Sequence, residues 1–512
     1  MWAPRIINKT KNLILAALAM WLGCASADAA IINVSPGDDF TKIESANPGD
    51  EVVIAPGTYA FRVYLTKQAT PSNPICIHAQ NPLNPPVWDF GNTMLDAAPG
   101  SYTAGDKARG AWQFSGAKNY TLSGIVFRHC RNAATNSAAI RYYNGTTNLY
   151  IKDCLFTLND VGMTGGTQDS DATVEFCEFN ANGNPGGPLS APTHNIYIYG
   201  GFLAMRYCYL HDSAQGQNFH IRCRQATLEY NWFARANNYE GDLMTDDDFS
   251  GAGPFTQILT LRGNVFVQNS LPGNHSQVIA IFNDGAQTNL TMTLRALYNT
   301  FVGVNTNSAF VHVSNADGTR MNAEISDNII SGTTLPALVE NTLKGSATGV
   351  NNWLKTNATI GTLTGSVQSA SPGFRNAATE DYTLGPGSAC IGMANASVYG
   401  LPGKEYYLNE ASNRLWRARS TARDLGAFES TTTNRPVGPY DPVPQPRLNI
   451  APSSGNAVLS WPLFAQDFQL EYSDLNSPVA WSLTPYSFVT NSSNVVVTAP
   501  ASAGKKFFRL RK

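Results

Sequence analysis

The stretches LYIKDCLF (Leu149–Phe156) and ATVEFCEF (Ala172–Phe179) share one pattern of apolar and polar residues. The third residue is apolar, the fourth is charged, the sixth is Cys and the last is Phe. Six further segments repeat the pattern with variation, and they end at Phe127, Leu210, Phe233, Phe266, Phe301 and Ile330. A constant strand pattern at variable spacing indicates one recurring unit with loops of different lengths. The sequence therefore predicts a solenoid, in which each coil buries its apolar face against its neighbours.

Equivalent positions of the repeats predict which side chains stack on one another. The third position is the inward column Leu122, Ile151, Val174, Met205, Leu228, Leu261 and Ile325. The sixth position runs Ile125, Cys154, Cys177, Cys208, Asn231, Asn264, Asn299 and Asn328. We expect the cysteines to form a row of small buried side chains. The asparagines should form a ladder of amides hydrogen-bonded from coil to coil, because Asn also tolerates the left-handed backbone of a tight bend.

The fourth position carries charges of alternating sign in neighbouring repeats. Its members are Lys152, Glu175, Arg206, Glu229 and Arg262. Strands of adjacent coils lie about 4.8 Å apart, so these residues should form a column of opposite charges that opposes register slip. The repeat that ends at Phe301 has Leu297 at this position, and we expect a bulge there.

A second strand is predicted between the repeats. The segments AAIRYYN, HNIYIYG, NFHIRCR, QVIAIFN and AFVHVSN each alternate in the way of a half-buried strand. NFHIRCR (Asn218–Arg224) presents an imidazole and two guanidiniums on its polar side. The repeats that end at Leu210 and Phe233 are 23 residues apart, and this coil spacing places Tyr197 beside His220 and Tyr199 beside Arg222.

These features resemble the right-handed parallel β-helix of pectate lyases and other polysaccharide-active proteins. The segment PGDDFTKIESANPGDEVVIAPGTY, from Pro36 to Tyr59, resembles the opening of such domains, and DLGAFES from Asp424 resembles their closing coils. The resemblance implies an all-β fold class, with a β-helix over residues 30–430. Residues 431–446 contain five prolines and are predicted to be a stiff linker. Residues 447–512 resemble a small C-terminal β-sandwich module that attaches secreted proteins to glycans or to the cell surface.

The first 29 residues are predicted to be a signal peptide. A basic start is followed by the apolar run LILAALAMWL and by small residues suited to cleavage. This run is too short to cross a bilayer, so we expect a secreted, periplasmic or cell-surface protein without membrane insertion. A formal net charge of −2 gives no electrostatic reason to expect a nucleic-acid partner.

The candidate site lies on the predicted outer face around NFHIRCR. We assign His220, Arg222 and Tyr199 as candidate catalytic residues. The candidate substrate-binding residues are Tyr197, Asn195, Asn218 and Arg224. A one-residue bulge would bring Glu240 and Asp242 to the same face, where Glu240, Asp242 and Asp246 could bind Ca²⁺ through hard oxygen ligands.

This residue set favours a polysaccharide partner that carries carboxylates. In β-elimination a cation neutralises the uronate carboxylate, a base takes the C5 proton, and an acid such as Tyr protonates the leaving oxygen. The leading hypothesis is a lyase of an acidic glycan. A hydrolase that uses paired carboxylates between Glu240 and Asp248, and a non-catalytic glycan-binding protein, remain as alternatives. The complete residue signatures of alginate lyases and of polygalacturonases on this scaffold are not present.

Overall fold

The computed structural model describes residues 29–101, 109–185, 193–245, 255–269, 276–283, 290–304, 308–314, 320–395, 400–407, 414–420, 423–474, 480–491, 493–501 and 506–511. The predicted signal peptide, apart from its last residue, and Asp246 lie outside the described residues. Within these ranges the structure contains no helical segment with the length and hydropathy of a membrane span.

The chain winds into coils whose strands form three parallel ladders. Sheet 1 consists of β4 (Val63–Leu65), β7 (Gly110–Ser115), β10 (Ala138–Tyr143), β13 (Val161–Gly165), β16 (Ile196–Arg206), β18 (Phe219–Glu229), β20 (Gly241–Met244), β23 (Gln277–Phe282), β26 (Ala309–Val313) and β29 (Leu335–Val339). Sheet 2 consists of β1 (Ile31–Val34), β2 (Glu51–Ile54), β5 (Ile75–Ala79), β8 (Lys118–Ser123), β11 (Thr147–Lys152), β14 (Asp171–Glu175), β21 (Phe255–Arg262), β24 (Leu290–Leu297), β27 (Arg320–Ser326), β30 (Gly345–Val350) and β32 (Leu363–Thr364), together with the second halves of β16 and β18. Sheet 3 consists of β3 (Thr58–Tyr59), β6 (Val87–Asp89), β9 (Val126–Arg128), β12 (Leu155–Thr157), β15 (Glu178–Asn180), β17 (Tyr209–His211), β19 (Trp232–Ala234), β22 (Val265–Val267), β25 (Thr300–Val302), β28 (Ile329–Ser331), β31 (Trp353–Lys355) and β33 (Val367–Ser369).

This architecture is the right-handed parallel β-helix that the repeats predict. A short helix, α1 (Phe40–Glu44), lies near its beginning, with the side chain of Asp39 accepting a hydrogen bond from the backbone of Thr41. Each predicted repeat contains two strands, one in sheet 2 and one in sheet 3, separated by a bend at its fifth and sixth residues. The inward column is continuous from Leu122 to Ile325, and its members are fully buried.

The predicted amide ladder at the bend is confirmed, although the left-handed backbone falls on the residue before each Asn, such as Tyr230 and Gly263, and not on the Asn itself. The side chain of Asn231 donates to Asn264 at 3.0 Å, and the same contact continues through Asn299 and Asn328. Asn352 extends the ladder by one coil, with a distance of 3.0 Å from Asn328. Each amide also donates to a backbone carbonyl of the preceding coil, so the polar bend is buried with its hydrogen bonds made. The row of buried cysteines Cys154, Cys177 and Cys208 precedes it, as expected.

The charged column on sheet 2 is also confirmed, and its end corrects one prediction. Arg206 lies 2.9 Å from Glu175 and 3.4 Å from Glu229. The bulge predicted around Leu297 is wrong, because β21, β24 and β27 pair in continuous register. Leu297 is 1% exposed, since it packs in a hydrophobic cluster with residues of the later chain such as Leu384. An apolar residue suits this position without any change of register.

The chain after the last coil covers the outer surfaces of sheets 2 and 3. Its antiparallel pairs are β34 (Phe374–Asn376) with β35 (Asp381–Leu384) and β36 (Lys404–Tyr407) with β37 (Leu415–Ala418), and a 3-10 turn spans Ala377–Thr379. Trp232 of sheet 3 packs with Tyr382, Tyr406 and Phe428 in one cluster. In the part of the chain that the structure describes, no hydrophobic cluster joins this covering segment to sheet 1. Within the described residues the covering segment therefore packs on sheets 2 and 3.

The C-terminal residues form two small antiparallel sheets, which agrees with the predicted module. One contains β38 (Asn449–Ser453), β39 (Asn456–Pro462), β43 (Asn494–Pro500) and β42 (Phe488–Thr490). The other contains β41 (Ser482–Leu483), β40 (Gln469–Ser473) and β44 (Phe507–Arg511), and a second 3-10 turn spans Leu463–Ala465. The proline-rich segment before them lies against the β-helix: Val437 is buried, and Lys152 donates to the carbonyl of Pro439 at 3.0 Å.

We expect Asn264→Ala to destabilise the β-helix by at least about 3 kcal/mol. Asn264 is fully buried, and its loss takes the acceptor from the backbone N–H of Asn231 and removes the side-chain contacts with Leu228 and Asn299. The denaturation midpoint in urea measures the effect. Asn376→Ala, at an exposed position, is the matched control and should leave the midpoint unchanged. Equal midpoints for the two variants would contradict a stabilising role of the ladder.

Candidate functional site

The strands β16 and β18 bring the candidate residues together in the predicted register. Tyr197 pairs with His220, and Tyr199 pairs with Arg222. On the other side, His220 pairs with Asp242. Asp242 therefore lies in the column of His220, as predicted, although the cause is a coil one residue shorter than the preceding one, 22 residues against 23, with no bulge in the paired residues.

A buried carboxylate orients the imidazole of His220. Nδ1 of His220 lies 2.8 Å from Oδ1 of Asp242, a contact that is electrostatic because its angles do not suit a hydrogen bond. The other oxygen of Asp242 accepts hydrogen bonds from Gln217 and Tyr239, each at 3.1 Å. Burial and the charge of Asp242 raise the pKa of the Tyr239 hydroxyl, which keeps it a donor. Asp242 is fully buried, so it acts on the surface only through its neighbours.

Arg222 contacts the opposite edge of the same imidazole. Its Nε donates to Nε2 of His220 at 3.2 Å. Its Nη1 donates to the carbonyl of Thr245 at 2.8 Å, and its Nη2 lies 2.7 Å from Sδ of Met244. Because Nε2 of His220 accepts a proton donor, the ring carries its own proton on Nδ1, towards Asp242. The order Asp242, His220, Arg222 thus leaves a lone pair on Nε2 at the side of the guanidinium.

Aromatic rings surround this pair. The ring of Tyr197 meets His220 edge-on, with centroids 4.6 Å apart, and lies 5.8 Å from the ring of Tyr199. The guanidinium carbon of Arg222 lies 6.0 Å from the centroid of Tyr197. Tyr197, Tyr199 and Arg222 are half-buried, and Arg224 is exposed at the end of the same polar row. These four side chains are the most exposed part of the candidate site, and His220 beside them is 7% exposed.

His194 belongs to the same cluster, although the sequence did not assign it a role. Its ring stacks on that of His220, with centroids 4.8 Å apart and an angle of 6° between planes. The contact depends on Gly216, where a Cβ atom would lie 2.3 Å from Nδ1 of His194. His194 precedes β16 in the segment HNIYIYG, so its place beside the site follows from the turn and not from strand alternation.

The structure corrects the roles predicted for Asn195 and Asn218. Both are fully buried and belong to a second amide ladder, in which Asn195 donates to Asn218 at 2.6 Å. The ladder begins at Asn159 and Asn182 and ends where Asn218 donates to a carboxylate oxygen of Glu240 at 2.6 Å. A buried amide in a ladder presents no atom to a substrate, so these residues support the turn beside the site.

Glu240 and Asp242 do not fit the predicted calcium site. Glu240 is fully buried, with one oxygen bound to Asn218 and the other accepting from the backbone of Ala236 at 3.2 Å. Asp242 faces His220 instead, and no group of three His, Cys, Asp or Glu residues in the described ranges could hold a metal ion. Glu240 and Asp242 are also not accessible as the paired carboxylates of a hydrolase, whereas the other candidates of that alternative, Asp246 to Asp248, lie outside the described residues.

Glu240 gives the fold a pH dependence that can be measured. Burial raises its pKa to about 8, against hydrogen bonds from Asn218 and Ala236 that lower it. Above the ordinary pKa of a glutamate the unfolded chain releases this proton while the folded chain keeps it. Stability should therefore fall as pH rises from about 4.5 to about 8, and then level off.

We expect this slope to be flatter in Glu240→Gln, which cannot titrate. The measurement is the urea midpoint of both proteins between pH 5 and pH 9. Because only the slopes are compared, a pH-independent loss of stability caused by the substitution at the end of the second amide ladder does not affect the result. Parallel slopes for the two proteins would contradict a protonated Glu240 in the fold.

Comparison with known proteins identifies the fold. No family model and no curated protein matches the chain. The solved pectate lyase Pel9A has a TM-score of 0.50 and 15% identity, over 80% of this chain and 98% of that chain. An alginate lyase from Paenibacillus sp. str. FPU-7 has a TM-score of 0.43 and 14% identity, over 62% of this chain and 98% of that chain. At 15% identity the likeness to Pel9A shows the fold alone, a parallel β-helix, and leaves the reaction to be argued from the site.

Proposed function

We propose that this protein is a polysaccharide lyase that cleaves an acidic, uronate-containing glycan by β-elimination. The observation that carries the proposal is the contact chain from Asp242 through His220 to Arg222 on the outer face of sheet 1. In this chain the proton acceptor, Nε2 of His220, lies 3.2 Å from Nε of Arg222, a fixed cation. A uronate supplies the matching groups, an acidic C–H bond and a carboxylate on adjacent carbons.

Arg222 is proposed to bind the carboxylate of the sugar that loses its C5 proton. A guanidinium matches the two oxygens of a carboxylate and stays charged at any working pH. As the proton leaves, negative charge spreads into the carboxylate, and a cation already in place stabilises that charge. The contacts of Arg222 with Thr245 and Met244 hold the guanidinium in position.

His220 is proposed to be the base, and Tyr199 the acid. When the substrate carboxylate takes the place of Nε2 as the acceptor of the Arg222 Nε–H, the lone pair on Nε2 of His220 is free to take the C5 proton. The electrons of the C5–H bond form a double bond between C4 and C5. The bond between C4 and the glycosidic oxygen breaks, and the Tyr199 hydroxyl protonates that oxygen. His220 then returns its proton to solvent and Tyr199 regains one, so the enzyme is unchanged. The carboxylate of Asp242 stabilises the imidazolium that forms in between.

The remaining polar row is proposed to bind neighbouring sugars of the same polymer. Tyr197 offers a half-buried ring for stacking against a sugar face, and Arg224 offers an exposed charge for a second carboxylate. This row lies on sheet 1, whereas the hydrophobic clusters of the covering segment lie on sheets 2 and 3. The name pectate lyase, given to the solved structure with a TM-score of 0.50, is consistent with this substrate class.

We also propose that the protein is exported and that its C-terminal sheets attach it to glycans or to a cell surface. The apolar segment near the N-terminus supports export. Calcium has no role in the steps above, because Glu240 and Asp242 do not offer a site for it.

The test is a screen of the mature protein against pectate, alginate, chondroitin and neutral plant glycans, with and without added calcium. Ultraviolet absorbance and new reducing ends are followed together. We expect both signals to rise in parallel with one uronate polymer. Reducing ends without absorbance would establish a hydrolase, and retention by a glycan with neither signal would establish a binding protein.

A further inference from the structure

His194 is held as a neutral imidazole with its proton on a defined nitrogen. Nδ1 accepts a hydrogen bond from the backbone N–H of Gln217 at 3.1 Å, so the proton of a neutral ring lies on Nε2. Burial, together with the charges of His220 and Arg222, lowers the pKa of His194 well below its ordinary value. The ring therefore remains uncharged through the range in which enzymes of this kind work.

The Nε2–H of His194 lies at the edge of the ring that is turned away from this hydrogen bond. His194 is 4% exposed, and among the described residues no protein group accepts a hydrogen bond from this N–H. The stacked ring of His220 has the opposite arrangement, with Nδ1 protonated and Nε2 accepting. The two stacked imidazoles thus carry one donor and one acceptor, and the guanidinium of Arg222 bonds to the second ring.

We propose that His194 is a further catalytic residue, whose Nε2–H donates a hydrogen bond to the substrate carboxylate beside Arg222. The proposal rests on the proposed function for its chemistry. A neutral donor with a fixed tautomer needs no reorganisation when charge develops on the carboxylate, which is the arrangement that stabilises such charge best. It forms no covalent bond and transfers no proton, so it returns unchanged after each turnover.

The variant that isolates this role is His194→Asn. The side-chain oxygen of Asn can accept from the Gln217 N–H in place of Nδ1, while the donor at the position of the His194 Nε2–H is lost. His312→Asn is the matched control, because His312 lies in the same outward column two coils beyond Asp242 and bonds to Glu340 at 2.8 Å. Both are introduced in a His220→Gln background, which prevents turnover during the measurement.

The measurement is the affinity for saturated uronate trisaccharides from pectate and alginate, by calorimetry, with their carboxyl-reduced counterparts as neutral probes. We expect His194→Asn to weaken binding of a uronate trisaccharide by about tenfold or more, as for a lost hydrogen bond to a charged group. Binding of the carboxyl-reduced probe should change by less than about twofold, and His312→Asn should change neither.

Equal losses on both probes, or no loss on the uronate, would overturn the proposal, and so would a parent that does not prefer the uronate. If His194→Asn fails to fold, His194→Gln takes its place, since a Gln side chain can return an N–H near the position of Nε2. That variant should keep the preference for the uronate, and losing it would also count against the proposal. A lack of unsaturated product from the wild-type protein would instead refute the proposed function. The binding comparison is a separate measurement, so the two failures can be told apart.

Discussion

Replacing Arg222 with alanine is expected to lower kcat/KM on a uronate polymer by about 10³-fold. The substitution removes the cation that would face the carboxylate and the contacts of Arg222 with His220 and Thr245. It should leave the fold intact, because Arg222 is half-buried and lies on the outer face of β18. Initial rates of ultraviolet-absorbing product, together with the urea midpoint, measure both effects.

Arg222→Lys separates charge from geometry. Lysine keeps the positive charge but lacks the planar fork, so we expect about 10- to 100-fold loss in place of the full effect. Arg320→Ala, an exposed arginine at the start of β27 in sheet 2, is the control and should retain wild-type rates. Wild-type activity in Arg222→Ala would refute the role of Arg222 in the reaction.

His220→Gln should lower kcat by about 10²- to 10⁴-fold, the usual range for loss of a general base. Asp242→Asn acts through the same imidazole, so its effect should also fall on kcat, with little change in KM. The expected loss is about 10²-fold, because the ring keeps its stacking on His194 and its edge contact with Tyr197 but loses the charge beside Nδ1. Steady-state kinetics on the polymer identified in the screen gives both parameters.

The double variant provides the internal control for this pair. If Asp242 acts only by orienting His220, the combined substitutions should cost little more than His220→Gln alone. Losses that multiply would show that Asp242 has a separate role. A large rise in KM with unchanged kcat in either single variant would contradict the assignment of His220 as the base.

The sequence predicted the fold well because the coils repeat. Each coil must bury the same positions, so one pattern specified the inward column, the cysteine row and the amide ladder as far as Asn328, which the structure extends to Asn352. The position of Leu297 was misread for the opposite reason. A break in the charged column looked like a local irregularity, whereas the cause is a hydrophobic cluster formed with residues about a hundred positions later. A hydrophobic contact with residues so distant in the sequence cannot be predicted from a local pattern.

The site was predicted in part. Strand alternation and coil spacing placed Tyr197 beside His220 and Tyr199 beside Arg222, as the structure has them. Alternation could not tell an outward polar residue from one that ends a buried ladder, so Asn195, Asn218 and Glu240 were assigned to the surface.

His194 was missed for a related reason. It lies before its strand, and its position depends on the close approach of Gly216 and on the backbone of Gln217. The only signal in the sequence was its nearness to His211 and His220, and nearness alone does not specify a contact.

The most direct test of the account is the mass of the oligosaccharides that the wild-type protein releases from a uronate polymer. Elimination forms a double bond in place of adding water, so each new non-reducing end should be one water lighter than the product of hydrolysis and should absorb ultraviolet light. Finding these unsaturated products with the wild-type protein, and not with Arg222→Ala, is the expected result. Saturated products of hydrolytic mass would contradict the account, because the site around His220 and Arg222 would then be performing a different reaction.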